Sequence, residues 1–116
     1  MMKIGIIGSR KFDKYELLKE TVCKILTNHP EQEVSFVSGG AKGADTLAEK
    51  LAGELDIPIL LFKPDYHKFG RSAPLVRNKE IVANSDLLVA FPVGESKGTY
   101  YTIEQAKPTI PFIIIK

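Results

Sequence analysis

Residues 38–45 read Ser-Gly-Gly-Ala-Lys-Gly-Ala-Asp, a composition that suits the binding of a phosphate group. They follow an apolar run at residues 34–37 and lead directly into a helical pattern. Glycine permits a sharp turn and lets a ligand approach the main chain closely. The free N–H groups and the dipole at the start of a helix favour an anion there. An ordinary strand-to-helix turn is the alternative, but three glycines and a lysine within six residues exceed what a turn needs.

Lys42 and Asp45 are the charged residues of this segment, and each allows two interpretations. Lys42 can contact a phosphate as a mobile point charge, or it can be a solvated lysine at a loop tip. Asp45 lies in the first turn of the predicted helix, where the dipole stabilises a carboxylate by roughly 0.3–1 kcal/mol. Because Asp45 would repel a phosphate, its role at a ligand would be to accept hydrogen bonds from ribose hydroxyls. Capping of the helix is the alternative.

The spacing of the glycines excludes two familiar phosphate-binding motifs. No Gly-Lys-Ser/Thr follows at the spacing of a Walker A motif, and Gly5 and Gly8 do not complete G-x-G-x-x-G. The sequence therefore argues against a P-loop NTPase and against an ordinary NAD dehydrogenase, and it predicts no cofactor.

A second candidate segment, Gly8-Ser9-Arg10, follows the first apolar run. Gly8 would let a ligand approach, Ser9 can hydrogen-bond a phosphate, and Arg10 can bind one through two parallel hydrogen bonds. A turn with an exposed arginine is the alternative interpretation.

Two further pairs of residues stand at predicted helix starts. Arg77 would hold a phosphate or a ribosyl oxygen and Asn78 would bind a polar edge, with a surface pair as the alternative. Gly98 and Thr99 begin the last helix and offer a second anion site. Two such sites facing each other suit a nucleotide or an ADP-ribose-like molecule. The candidate ligand-binding residues are therefore Gly8, Ser9, Arg10, Ser38, Gly39, Gly40, Ala41, Lys42, Gly43, Asp45, Arg77, Asn78, Gly98 and Thr99.

The elements that position these residues are indicated by alternating apolar runs and helical patterns. Strands are predicted at residues 3–8, 33–37, 58–62, 87–91 and 111–115. The helices between them are a first one capped by Asp13 and ending near Asn28, a second over 44–55, a third from Pro74 to Ser85, and a short one over 99–106. Residues 63–73 are predicted to form a long loop.

Strands that alternate with helices predict a mostly parallel sheet with right-handed crossovers. The strands are apolar on both faces, as a covered sheet requires. The predicted fold is α/β, a Rossmann-like three-layer sandwich of about five strands in the order 3-2-1-4-5. Residues 1–116 would form it as a single domain. In such sheets ligands bind beyond the carboxyl ends of the strands, where the strand order reverses, so the loops after strands one, two and four would converge.

Composition and charge limit the possible partners. The chain of 116 residues fits one compact domain, with 44% hydrophobic and 26% charged residues. A net charge of +2 permits an anionic ligand but disfavours a protein built to coat nucleic acid. The single cysteine, Cys23, forms no internal disulfide, and no spacing of His, Cys or carboxylates indicates a metal site. Neither a signal peptide nor a membrane span is predicted, so we expect a soluble cytoplasmic protein.

Four motifs together resemble a known family: Gly8-Ser9-Arg10, the loop at residues 38–45, Arg77-Asn78 and Lys97-Gly98-Thr99. In this order they are similar to the YspA-like, cpYpsA-related branch of the SLOG superfamily. That superfamily includes the LOG-type phosphoribohydrolases and the DNA-processing protein DprA. The resemblance implies a SLOG domain with a nucleotide-type pocket. It also implies a homo-oligomer, since LOG enzymes and their relatives are usually dimers.

The resemblance to LOG enzymes also bears on catalysis. Those enzymes place an arginine nine positions before an aspartate, as Arg77 stands before Asp86, and a glutamate in the last helix. Thr102 occupies the position of that glutamate, and Glu104 follows two residues later. Two residues on a helix rotate a side chain by about 200°, so Glu104 is predicted to point away unless the helix start moves. Arg77 and Glu104 are the candidate catalytic residues.

Three functions from different classes are compatible with these residues. The first, which we favour, is a module that senses or sequesters a nucleotide or nucleotide-derived ligand. The second is an enzyme that hydrolyses an N-glycosidic bond in a nucleotide, a reaction that needs a carboxylate near an oxocarbenium-like state. The third is single-stranded nucleic acid binding, which needs a basic groove with stacking aromatics. Lys63, His67, Lys68, Phe69 and Arg71 form a cluster of that kind, but the weak net charge disfavours nucleic acid as a partner.

Overall fold

The structure, a computed structural model, describes residues 1–40, 42–94 and 96–115, and the predicted alternation of strands and helices is present in them. The strands are β1 (Met2–Gly8), β2 (Val34–Ser38), β3 (Ile59–Leu61), β4 (Leu87–Phe91) and β5 (Phe112–Ile114). The helices are α1 (Tyr15–Thr27), α2 (Ala44–Leu55), α3 (Tyr66–Phe69), α4 (Ala73–Ala83) and α5 (Lys97–Ala106), and a 3₁₀ turn spans Gly70–Ser72. Within the described residues, no helix combines the length and the apolar character that crossing a membrane requires.

The strands form one parallel sheet in the order β3-β2-β1-β4-β5, which confirms the predicted order. β1 is central, and its Ile4 pairs with Phe36 of β2 and with Leu87 of β4. The chain runs outward from β1 to β3 and then crosses back to β4 on the other side of β1. The strand order therefore reverses between β1 and β4, and the loops after β1, β2 and β4 meet at this edge.

Two apolar clusters cover the two faces of the sheet. On one face Ile4 and Ile6 of β1 pack with Leu51 and the small alanines of α2, together with α1. On the other face Ile7 packs with α4 and α5, for example with Ile81 and Ile103. Successive residues of β1 thus face opposite layers, because side chains alternate along a strand. The three-layer α/β sandwich expected from the sequence is confirmed.

Three local predictions differ from the structure. Helix α1 begins at Tyr15, and the residue before it, Lys14, makes no side-chain capping bond, so the prediction that Asp13 caps this helix is wrong. Just before this helix, the buried ring of Phe12 lies 4.8 Å from that of Phe91. The predicted loop at 63–73 contains α3 and the 3₁₀ turn, because the Asp65 carboxylate accepts a bond from Lys68 N and starts a helical turn. Helix α5 begins at Lys97, two residues earlier than predicted.

The loops after β1 and β2 are held together at Gly43, directly before α2. Gly43 has φ +79°, and a Cβ atom placed on it would overlap the carbonyl oxygen of Ser9. That oxygen accepts the N–H of Ala44 at 3.4 Å and the N–H of Phe12 at 3.1 Å. The start of α2 therefore rests on the main chain that follows β1, which fixes the two loops relative to each other.

Leu51→Ala is expected to lower the free energy of unfolding by about 2–5 kcal/mol, because Leu51 is completely buried and the shorter side chain leaves a cavity. The matched control is Leu60→Ala on the edge strand β3, where Leu60 is 48% exposed and the cost is expected to stay below about 1 kcal/mol. Urea unfolding followed by circular dichroism measures both values. Equal losses at the two positions would contradict the packing described above.

Gly43→Ala is expected to destabilise the protein by at least about 2 kcal/mol, because a positive φ is costly for alanine and its methyl group would overlap Ser9. Gly53→Ala is the matched change within α2, where no atom lies within 4 Å of the added methyl group. This control is expected to raise the stability by about 0.5–1 kcal/mol, since alanine favours a helix interior over glycine. Thermal unfolding of the two variants should shift in opposite directions, and a neutral Gly43→Ala would refute the rigid junction.

Candidate functional site

A cavity of about 190 Å³ opens at the carboxyl end of β1, where the strand order reverses. Its wall is formed by the end of β1, the loop that follows it, and the first turns of α2, α4 and α5. The lining residues are Ile7, Gly8, Ser9, Arg10, Asp45, Pro74, Leu75, Arg77, Asn78, Ser96, Gly98, Thr99 and Thr102. The cavity therefore lies where the fold predicts a ligand site.

Three helices of ten or more residues begin at this cavity: α2, α4 and α5. Each helix start presents the positive end of the helix dipole. Pro74 stands in the first turn of α4, where its missing N–H costs no helical hydrogen bond. The convergence of three such ends makes the cavity a favourable place for an anion.

Arg77 on α4 is the main charged group of the cavity wall. Its side chain is only 8% exposed, and Nη1 donates to the carbonyl oxygen of Gly39 at 2.9 Å. The buried Nε has no hydrogen-bond partner in the part of the chain that the structure describes. Burial lowers the pKa of Arg77, and the nearby Asp45 carboxylate opposes this effect. The guanidinium stays charged at neutral pH, and with five N–H donors it retains donors for a ligand beyond the Gly39 bond.

Ser38 and Gly39 lie beneath the cavity and position its charged groups. The Ser38 hydroxyl is completely buried, at 2.8 Å from Ile6 O and 3.0 Å from Asp45 Oδ1, and donates its proton to one of them. A Cβ atom at Gly39 would overlap the Arg77 guanidinium and lie 2.9 Å from Asp45 Oδ2. Only glycine leaves this space to Arg77 and Asp45. Neither Ser38 nor Gly39 lines the cavity, although both were predicted to contact the ligand.

The structure brings most of the other predicted residues to the cavity. Gly8, Ser9, Arg10, Asn78, Gly98 and Thr99 all line it. Arg10 is exposed, and the Ser9 hydroxyl accepts the Lys11 N–H at 3.1 Å. Gly40 and Lys42 line a groove next to the cavity. Gly43 instead packs against the main chain of Ser9, where the loop after β1 meets the start of α2. Ala41 lies outside the described residues.

The last helix places Thr102 and Glu104 on different sides. Thr102 is fully buried, lines the cavity and donates its hydroxyl to Gly98 O at 2.9 Å. Glu104 is exposed and pairs with Lys107, with 2.7 Å between Nζ and Oε1. The early start of α5 does not bring Glu104 to the site. Among the described residues, Asp45 is the one carboxylate that lines the cavity.

Five lining residues are absent from the ligand-binding residues predicted from the sequence: Ile7, Pro74, Leu75, Ser96 and Thr102. The Ser96 hydroxyl donates to Thr99 Oγ1 at 2.6 Å, directly before α5. A serine just before a helical pattern is a known N-cap signal and could have identified it. Leu75 is 39% exposed in the first turn of α4, and no sequence signal distinguishes it from a core leucine. No group of three or more His, Cys, Asp or Glu side chains within residues 1–40, 42–94 and 96–115 is placed to hold a metal ion.

Comparison of the chain with known solved structures shows a likeness in fold. The chain superposes on a structure of DNA processing protein A from Helicobacter pylori with a TM-score of 0.74 at 18% identity. The match covers 99% of this chain and 65% of the length of that protein, whose structure was described for a unique single-stranded DNA binding mode. At this identity the likeness concerns the fold alone.

Comparison with known sequences shows the family. The model of the YspA, cpYpsA-related SLOG family matches residues 2–69, more than half of the chain. The Gene 61 protein of Mycobacterium phage D29 is 32% identical over 120 residues, which cover 97% of this chain and 95% of that protein. The resemblance expected from the four motifs is thereby confirmed, and the chain belongs to the YspA, cpYpsA-related SLOG family.

Proposed function

We propose that this protein binds a nucleotide or a nucleotide-derived ligand, with a phosphate group of the ligand in the cavity at the end of β1. The observation that carries this proposal is the buried guanidinium of Arg77 in the wall of a cavity at which three helices begin. A buried cation that keeps free donors is stabilised by an anion, and phosphate accepts several such hydrogen bonds at once.

Asp45, the one carboxylate among the described residues of the wall, would orient the ligand. Asp45 repels a phosphate, so the phosphate belongs nearer to the starts of α4 and α5 than to Asp45. A ribose hydroxyl is the ligand group that Asp45 can accept from. This arrangement places the sugar between Asp45 and the phosphate.

The size of the cavity fits only the polar part of a nucleotide. Its volume of about 190 Å³ is below the about 300–1,000 Å³ of pockets that enclose a whole small molecule. The base would then extend to the mouth, where the half-exposed Leu75 offers apolar surface. The phosphate and the ribose would therefore contribute more to the free energy of binding than the base.

Hydrolysis of an N-glycosidic bond is a weaker proposal than binding. That reaction needs a carboxylate next to the sugar. Glu104 is paired with Lys107 at the surface, and Asp45 is held by Ser38. We assign no catalytic role to Glu104, and Arg77 enters the proposal as a binding residue.

Arg10→Gln is expected to weaken the binding of adenosine 5′-monophosphate about tenfold, because an exposed arginine at the cavity loses its charge-assisted bonds to phosphate. Arg71→Gln removes the same charge from an exposed arginine that does not line the cavity, and it should leave the affinity within about twofold. Isothermal titration calorimetry measures both. Equal losses in the two variants would place the phosphate elsewhere.

A second variant tests the buried cation itself. Arg77→Lys keeps the positive charge but loses the planar fork, so it should also weaken the binding of adenosine 5′-monophosphate, by about tenfold or more. Circular dichroism and thermal unfolding show whether the variant is folded. A folded Arg77→Lys protein with unchanged affinity would remove Arg77 from the site.

Binding of single-stranded DNA is a second candidate function. The protein from Helicobacter pylori that shares the fold was described for that activity. In this chain a groove beside the cavity is lined by Arg10, Lys42, Lys63 and Arg77, which could follow a phosphate backbone.

If the protein binds single-stranded DNA through this groove, its affinity for a 20-nucleotide thymidylate DNA should fall steeply as the salt concentration rises. Four phosphate contacts predict a slope of log K against log salt of about −3, since each contributes about −0.7. Adenosine 5′-monophosphate should compete with the strand if both use Arg10 and Arg77. Fluorescence anisotropy measures both effects, and absence of binding at low salt would remove this candidate.

A further inference from the structure

The groove beside the cavity has an unusual charge. It measures about 480 Å³ and is lined by Arg10, Gly40, Lys42, Lys63, Pro64 and Arg77. Four of these residues are cations, and none of the described lining residues is a carboxylate. Lys42 and Lys63 form no ion pair with any residue in the described ranges. Like charges gathered in one cleft repel each other, and a bound anion relieves that repulsion.

The register of the sheet brings Lys63 to this groove. Ser38 at the end of β2 pairs with Leu61 of β3, and Phe62 N extends the pairing with a bond of 2.8 Å to Ser38 O. Lys63 and Gly40, each two residues beyond the end of its strand, therefore lie beside each other. A Cβ atom at Gly40 would be 3.3 Å from both Cγ and Cε of Lys63, so the lysine stem lies across the glycine turn. The stem thus brings the ammonium group near the glycine-rich loop, and the side chain is exposed.

The groove and the cavity are adjacent, because Arg10 and Arg77 line both. The two parts differ in charge, since the cavity contains Asp45 and the groove contains no described carboxylate. The cavity near Asp45 suits a ligand group that both donates and accepts hydrogen bonds. A purely anionic group suits the groove.

We propose that the groove is a second phosphate site, with Lys63 as one of its ligands, and that the natural ligand carries at least two phosphate groups. This inference rests on the proposed function, because it assumes that a first phosphate occupies the cavity. Arg10 and Arg77 lie between the two phosphates and contact both. Lys63 then discriminates ligands with a second phosphate from those with one.

The test compares three ligands that differ in their phosphates. Adenosine 5′-monophosphate has one, adenosine 5′-diphosphate has two adjacent ones, and the 5′-phosphorylated adenine dinucleotide has two separated by a nucleoside. At least one ligand with two phosphates should bind the wild-type protein about tenfold more tightly than the monophosphate. Lys63→Gln should reduce that advantage to less than about threefold, as measured by isothermal titration calorimetry.

Lys79→Gln is the matched control, since Lys79 is an exposed lysine of α4 that lines neither the cavity nor the groove. This variant should keep the full advantage of the second phosphate. If the monophosphate binds through Arg10 but the second phosphate adds nothing, the second site is refuted and the proposed function stands. Equal losses in Lys63→Gln and Lys79→Gln would also refute the second site. If none of the three ligands binds, both proposals fall.

Discussion

The hydrogen bond from Arg77 Nη1 to the carbonyl oxygen of Gly39 joins the two halves of the site, and the other groups are arranged around it. Arg77 comes from α4 on one face of the sheet, whereas Gly39 leads from β2 toward α2 on the other. A guanidinium can be buried only where acceptors and negative charge compensate for the lost water. The Gly39 carbonyl and the Asp45 carboxylate supply them, and the Ser38 hydroxyl lies 3.0 Å from Asp45 Oδ1. This chain of contacts leaves no room for a side chain at position 39.

The candidate site therefore combines a mixed-charge cavity with a neighbouring cationic groove, and the two share Arg10 and Arg77. The fold alone supports many functions, so its likeness to DNA processing protein A does not decide between a small ligand and a strand. The residues that line the cavity and the groove indicate the kind of ligand more directly than the fold does. Three helix dipoles, a buried arginine and the carboxylate of Asp45 would suit a phosphorylated sugar, and the cations of the groove would add further groups for an anion.

Much of the fold could be predicted from the sequence, because strands apolar on both faces and a helix with alanines at regular spacing are local patterns. The alternation of strands and helices along the chain predicted a parallel sheet and its strand order, and both were confirmed. The wrong local predictions also have physical explanations. Asp13 has the side chain of a cap, but α1 begins at Tyr15, so Asp13 lies one residue before the N-cap position. Residues 63–73 contain Pro and Gly, yet the Asp65 side chain starts a short helix among them.

The sequence by itself determined the glycine-rich loop, its place between a strand and a helix, and the absence of the Walker and dinucleotide motifs. The tertiary structure decided which residues of that loop line the site. Ser38 and Gly39 lie below it, because Arg77, 38 residues away in the chain, occupies the space above Gly39. The register of β2 with β3 brought Lys63 to Gly40. Such placements depend on contacts between distant segments, which no local pattern contains.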